Sequence, residues 1–503
     1  MDDGEVSSML ASGSREDRFL ACRDIAFALA SAGCAERALR LAERGFNIWL
    51  GDDGFIDEYL ALLKSVGDAA QIRRVAKRAG IWHTEHGTIG DAIAYFNIHQ
   101  YAEQSTGSGD RYCQNHEVLH AVEMLAGVTG SSLPRRRYVG DGRIRIAYLV
   151  YGAAHTSSVL VRLALDFVKY HDQQRFECAF FAPDPDTPPS TPVNIELFRA
   201  AGEELCMIKS FDSETCLIET AAAIDRFKPD ILVSLAALAD YRHYFLFAKC
   251  PAVARVSLCY GPPAQFVPPK ADMAISATRH PLMDCPCDGA VVALDATLPA
   301  RPAAIRRSET VSNKVTILAA GRSEKFLDRK YWETILGVLA QFPHTRFLAV
   351  GIESPPEFLQ ELLATQPGER VEVYGWLNGY HDLLSQADIV LDTFPSGGGL
   401  TVLDSMAFGI PVLTFANDYL VAYDQSNWNP AEEFLCEPLL VVRRGDFSAF
   451  AARLGELIVD RSLRVRLGAE GEIRVREAHG NPARMIRRIE SHYAQVLKRV
   501  TGE

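Results

Sequence analysis

Residues 392–415 read DTFPSGGGLTVLDSMAFGIPVLTF, and here the residue types and their order come closest to chemistry. A strand is expected to end at Phe394, Pro395 and Ser396 to turn the chain, and Gly397, Gly398 and Gly399 to lead into a helix opening with Leu400 and Thr401. A glycine-rich turn at a helix start leaves backbone N–H groups unpaired at the positive end of the helix dipole, which suits a phosphate. Asp404 follows about one helical turn on. A carboxylate there can accept hydrogen bonds from the vicinal hydroxyls of a ribose. Three glycines alone could serve tight geometry; strand, glycines, helix, acid and then Gly409-x-Pro411 together point to a nucleotide.

Other residues could join such a site. Arg322, in ILAAGRSEKF, could clamp a phosphate with both arms of its guanidinium or serve a surface ion pair. His381, at a helix start in NGYHDLL, is placed to face a nucleoside or its diphosphate. Asp418, Tyr423 and Asp424 follow the strand PVLTF, where a carboxylate could touch a sugar or simply be solvated. The C-x-C of Cys285 and Cys287 is a weak metal signal, and the D-x-D of Asp184 and Asp186 stands in a proline-rich loop, so no metal site is expected.

The chain that must position these residues has 503 of them, a prior of about three domains. Its 48% apolar and 23% charged content supports packed cores and excludes disorder over most of the length. The net charge of −12 excludes nucleic-acid binding by bulk charge, though not a local basic site for a phosphate ligand. No apolar run reaches the roughly 18 residues of a spanning helix, and the N-terminus lacks the order of a signal peptide, so a cytoplasmic location is expected. The 11 scattered cysteines argue against a disulfide framework.

Residues 1–135 are expected to be all-helical, beginning at a Ser14 cap. GCAERAL at Gly33 is echoed by GDAAQI at Gly67, 34 residues on, the period of tetratricopeptide repeats. Either a helical bundle or a degenerate repeat array that offers a groove to a protein fits this. From 136 to 305, apolar runs such as IRIAYLV, FECAFFA, DILVSL and ARVSLC alternate with helical stretches. Such alternation predicts a parallel sheet with helices on both faces. The pattern restarts over 306–503, with VTILAA, RFLAV, VEVY, DIVLDTF, PVLTF and LLVV as strands and three helical stretches at the end.

These motifs resemble glycosyltransferases of the GT-B architecture: two facing Rossmann-like domains, here preceded by an all-helical, tetratricopeptide-like N-terminal domain. The likeness is to the family of protein O-GlcNAc transferases and bacterial adhesin N-glycosyltransferases, glycosyltransferase family 41, over about residues 143–440. It implies that UDP-sugar is the donor substrate, that the glycine-rich helix start, residues 396–401, holds its diphosphate, and that Asp404 holds its ribose. It also implies that Lys325, in ILAAGRSEKFLDRKYWETI, binds the diphosphate, where an ammonium stabilises the leaving UDP. His155, in YLVYGAAHTSSVL, matches a loop histidine that could orient the acceptor or take its proton. VSLCYGPPAQFVPPKADMAIS resembles a cleft-lining motif, but Pro262, Pro263 and Gln265 stand where the adhesin enzymes have histidines. Retaining relatives carry two glutamates across the glycine turn; Ser396 and Asp404 occupy those positions, which favours an inverting enzyme.

The expectation is therefore a metal-independent inverting glycosyltransferase with no cofactor, which moves sugar from UDP to a protein side chain, such as that of a bacterial surface or secreted protein. A lipid or saccharide acceptor, or a non-catalytic scaffold that keeps the fold, are the rival readings. A homo-oligomer is left open.

Overall fold

The computed structural model describes residues 13–65, 68–86, 126, 134–140, 142–150, 159–183, 192–207, 213–235, 241–259, 271–276, 290–294, 314–377, 380–416 and 429–502. These fall into two compact units: Met1–Arg135 with Asp212–Arg226 and Ala239–Pro251, and Arg136–Phe211 with Phe227–Leu238 and Ala252–Glu503.

The first unit opens with helices Arg15–Ser31, Ala35–Ile48, Asp53–Ser65 and Ala69–His86. Ser14 caps the first in a reciprocal box: its Oγ accepts the Asp17 N–H at 3.0 Å, and Asp17 Oδ2 accepts the Ser14 N–H at 2.9 Å. Phe19, Phe46, Phe55 and Tyr59 form the core of this helical segment. Its second and fourth helices begin at Ala35 and Ala69, the 34-residue interval visible in the sequence. Residues 87–125 and 127–133, expected to be helical as part of 1–135, lie outside the described residues.

The second unit contains two parallel sheets. The first consists of β1 (Ile144–Val150), β2 (Phe176–Ala182), β3 (Leu205–Met207), β4 (Ile231–Leu235), β5 (Ala254–Cys259), β6 (Met273–Ser276) and β7 (Ala290–Ala293). Its order is β3-β2-β1-β4-β5-β6-β7. The second consists of β8 (Val315–Ala320), β9 (Thr345–Val350), β10 (Val371–Tyr374), β11 (Ile389–Leu391), β12 (Val412–Phe415) and β13 (Val441–Val442), ordered β10-β9-β8-β11-β12-β13. The sequence reading named the long strands; β3 and β7, short and at the edges, carry too little pattern to be read. Each sheet grows outward in both directions from its first strand, so the strand order reverses between β1 and β4 and between β8 and β11. In open α/β sheets the crevice at such a reversal, beyond the carboxyl ends of the strands, is where ligands bind.

Two expectations are corrected. Strand β11 stops at Leu391 rather than Phe394. The Asp392 carbonyl takes the Tyr331 hydroxyl at 2.8 Å and the Asp392 side chain takes turn amides, so the chain leaves the ladder there. The last helix, Pro482–Thr501, was assigned with 306–503 to the second sheet but packs into the core of the first. Its Met485, Ile486, Ile489, Tyr493, Val496 and Leu497 join Ile146, Tyr148 and Phe167 there. The two preceding helices, Phe447–Val459 and Arg461–Arg474, stay with the second core through Phe450, Leu454 and Leu467.

A buried polar network fixes that last helix. His171 Nδ1 meets Glu490 Oε1 at 2.8 Å, its Nε2 meets the Tyr148 hydroxyl at 2.7 Å, and Tyr148 donates to Tyr493 Oη at 3.2 Å. Asp172 N–H donates to the same Glu490 oxygen at 2.8 Å. Burial works to raise the Glu490 carboxyl, but the bonds from His171 and Asp172 and the charge of His171 hold it below its ordinary 4.5. A carboxyl with a lowered folded value contributes stability above the ordinary value and loses it as pH falls through the lower one. Glu490→Ala should therefore cost about 3 kcal/mol at pH 7, as expected when one partner of a buried pair is removed. In urea unfolding curves the gap to wild type should narrow as pH falls below 4.5 toward the lower folded value.

Candidate functional site

The strand reversal between β8 and β11 places two loops side by side. The loop after β8 contains a short 3₁₀ turn, Ser323–Phe326. Phe326 is buried in the second core, its carbonyl accepts Trp332 Nε1–H at 2.9 Å, and Ser323 Oγ donates to the Gly351 carbonyl at 3.0 Å. With the turn pinned at both ends, Lys325 projects across to the loop after β11, where its Nζ donates to the Gly397 carbonyl. Arg322 stands exposed at the start of the same turn.

The β11 loop is built on Asp392, a buried residue that the sequence reading did not select. Its Oδ1 accepts the Gly398 N–H at 2.7 Å and the Thr393 N–H at 3.0 Å, and its Oδ2 accepts the Thr414 hydroxyl at 2.9 Å. Burial pushes its carboxyl above the ordinary value, against the pull of those donors and of Lys325. Asn429 closes the cluster, its Nδ2 donating to Thr414 Oγ1 at 2.6 Å and to the Phe415 carbonyl at 2.8 Å. On the other side Arg444 donates to the Pro395 carbonyl at 2.9 Å and lies over the Phe394 ring at 4.8 Å.

The glycines are not equivalent. A Cβ on Gly397 would lie 2.4 Å from Asn429 Oδ1 and 2.6 Å from Asp392 Oδ2, so only glycine fits. Gly398 and Gly399 meet nothing closer than 3.4 Å. The expectation that the amides of all three present themselves to a phosphate is corrected at Gly398, whose N–H is spent on Asp392. Open donors are instead expected one step on: Gly399 is the N-cap of helix Leu400–Ala407, no side chain caps it, and Gly399, Leu400 and Thr401 are half-buried. Ser396, also half-buried, gives its carbonyl to the Thr393 hydroxyl at 2.7 Å.

Asp404 sits on the same helix one turn further, 14% exposed at its side chain. Tyr380 donates its hydroxyl to Asp404 Oδ2, and His381 Nε2 lies 3.2 Å from that oxygen. The His381 ring stacks on Phe408 at 6.1 Å and 14°. The structure thus joins His381 to Asp404 in one cluster and adds Tyr380, which the sequence reading passed over. The only sequence signal for Tyr380 is its place directly before the histidine.

His155, residues 260–270 with Pro262, Pro263 and Gln265, the loop with Asp418, Tyr423 and Asp424, Cys285, Cys287, Asp184 and Asp186 lie outside the described residues. Among the described residues, no helix is long and apolar enough to cross a membrane.

An ammonium, an uncapped helix start and a carboxylate flanked by a phenol and an imidazole therefore meet at one strand reversal. The first two can hold an anion, and the third can accept hydroxyl hydrogen bonds.

Known proteins are similar to this chain in sequence over the second sheet and in overall fold. A family model described as glycosyl transferases group 1 matches residues 314–460, the β8–β13 half that carries the site. A lipopolysaccharide core biosynthesis glycosyltransferase, LpsE, of Rhizobium meliloti is 26% identical over 166 residues. That stretch is 32% of this chain and 45% of LpsE, so the chain spans under half the length of that relative. Among solved structures, a mutant O-GlcNAc transferase of Thermobaculum terrenum superposes with a TM-score of 0.57 at 16% identity, over 98% of this chain and 99% of that one. Sucrose-phosphate synthase of Thermosynechococcus elongatus gives a TM-score of 0.51 at 16% identity, over 70% of this chain and 99% of that one. The chain thus has the GT-B fold with a helical N-terminal segment, resembles the O-GlcNAc transferases in its architecture, and over residues 314–460 matches the group 1 glycosyl transferases.

Proposed function

We propose that this protein is an inverting glycosyltransferase that moves a sugar from a UDP-sugar to a protein side chain. The observation that carries the reading is the convergence of Lys325, the uncapped start of helix Leu400–Ala407 and Asp404 at the β8–β11 reversal. In this reading the donor diphosphate lies between the Lys325 ammonium and the amides of Gly399, Leu400 and Thr401, and Asp404 takes the ribose hydroxyls beside His381. Arg322 stands close enough in sequence to Lys325 to reach an outer phosphate oxygen.

The acceptor nucleophile attacks the anomeric carbon from the face opposite UDP. As the bond between that carbon and the β-phosphate oxygen breaks, its electron pair goes to the oxygen. The growing charge is met by Lys325 and by the helix dipole, with no need to protonate the leaving group. The acceptor proton passes to a base, for which His155 is the candidate. Ser396, where retaining relatives have a glutamate, supports direct displacement.

The protein acceptor is supported by the helical segment and by a likeness to an O-GlcNAc transferase that runs through it. In this reading residues 1–135 help dock the polypeptide, 136–305 form the acceptor side and 306–481 the donor side. The match to a lipopolysaccharide core glycosyltransferase favours a second reading, a saccharide or lipid acceptor.

Lys325→Ala should lower transfer by roughly 100-fold or more, the scale of losing one preorganised charge stabiliser, while the protein remains folded. Near-normal turnover would take that lysine out of the mechanism. Asp404→Ala should weaken UDP binding by about 1–3 kcal/mol in calorimetry, the worth of charge-assisted hydrogen bonds. His155→Ala should slow transfer more than it weakens UDP binding; the reverse pattern would move it to the donor side. Incubation with nucleotide sugars and lysate of the source cells, followed by mass spectrometry, identifies the acceptor. Modified peptides support the first reading and modified glycolipid or saccharide the second. UDP binding without any turnover would mean a scaffold that has kept the fold.

A further inference from the structure

The Gly397 carbonyl and the Gly398 N–H belong to one trans peptide unit, whose polar ends point in opposite directions. The N–H end donates to Asp392 Oδ1 at 2.7 Å, and the carbonyl end accepts from Lys325 Nζ. One peptide plane therefore links a buried carboxylate to the ammonium at the mouth of the site.

The inner end of that link is held on several sides. Asp392, 5% exposed, also takes the Thr393 N–H and the Thr414 hydroxyl. Asn429, 2% exposed, braces Thr414 and closes the space beside Gly397. Turning the peptide over would bring the Gly397 carbonyl against the Asp392 carboxylate, two acceptors with no proton between them, and would leave the Gly398 N–H without its acceptor.

We propose that Asp392 is a positioning residue for the donor site: by holding the Gly398 N–H inward it turns the Gly397 carbonyl outward and fixes the Lys325 ammonium at the glycine turn. The inference rests on the donor reading of Lys325. Asp392 touches no ligand; it acts through the peptide. Its charge strengthens the N–H bond relative to a neutral acceptor and polarises the peptide so that the negative end meets the ammonium.

A double-mutant cycle on UDP affinity tests this. Asp392→Ala should weaken UDP binding at least about tenfold, and Asp392→Asn, which keeps an acceptor oxygen but not the charge, about threefold to tenfold. In a Lys325→Ala background both losses should shrink below about twofold, because the group through which Asp392 acts is gone. Losses that add in full in the double variants would overturn the proposal, since a residue that merely shapes the turn behaves that way. Unchanged UDP affinity in folded Asp392→Ala and Asp392→Asn proteins would overturn it too. The asparagine variant, nearly isosteric, carries the cycle if the alanine variant does not fold. Wild-type UDP affinity in Lys325→Ala alone would remove the donor reading itself, which separates the two failures.

Discussion

The orientation of the peptide between Gly397 and Gly398 is the constraint on which the rest of the site depends. A carboxylate removed from water is costly unless donors surround it. Asp392 has three, two from the backbone and one from Thr414. Two of those donors, the amides of Thr393 and Gly398, belong to the turn itself, so satisfying the carboxylate and shaping the turn are one event. The side chain at 397 must then be a hydrogen, because Asp392 and Asn429 occupy the volume that a Cβ would need. Lys325 reads the outcome from the opposite side of the same peptide.

That local order has a global cause. Parallel strands that grow in both directions from β8 leave a reversal beside β11, where the following loops leave the sheet on opposite faces and open a crevice. The Lys325 turn follows the first of these strands and the glycine turn follows the second. The helix that begins at Gly399 carries Asp404 on its next turn, where Tyr380 and His381 share one carboxylate oxygen. An anion near the helix start and a hydroxyl-bearing group near Asp404 would thus sit in a fixed order along one helix.

The last helix shows a different use of buried polarity. Its apolar face completes the core of the first sheet, while Glu490 and Tyr493 reach His171 and Tyr148. Apolar contact alone would tolerate sliding along the sheet. A chain of four hydrogen-bonding side chains has one register in which every member is satisfied, so the network specifies position as well as adding stability.

Much of this was legible in the sequence wherever the cause is local. The Ser14 cap, the long strands and the glycine turn ahead of Leu400 follow from periodicity and turn chemistry within a few residues, and the architecture followed from their alternation. The inward turn of the Gly398 amide, the pairing of His381 and Tyr380 with Asp404, the contact of Lys325 with Gly397 and the allegiance of the last helix were decided by the tertiary structure. The Gly398 amide meets Asp392 only 6 positions away, but the other three join residues from 24 to 345 positions apart at their widest links. Such contacts depend on which loops the sheet order brings together, and Asp392 reads in sequence as one more acidic residue after a strand until the fold surrounds it with donors.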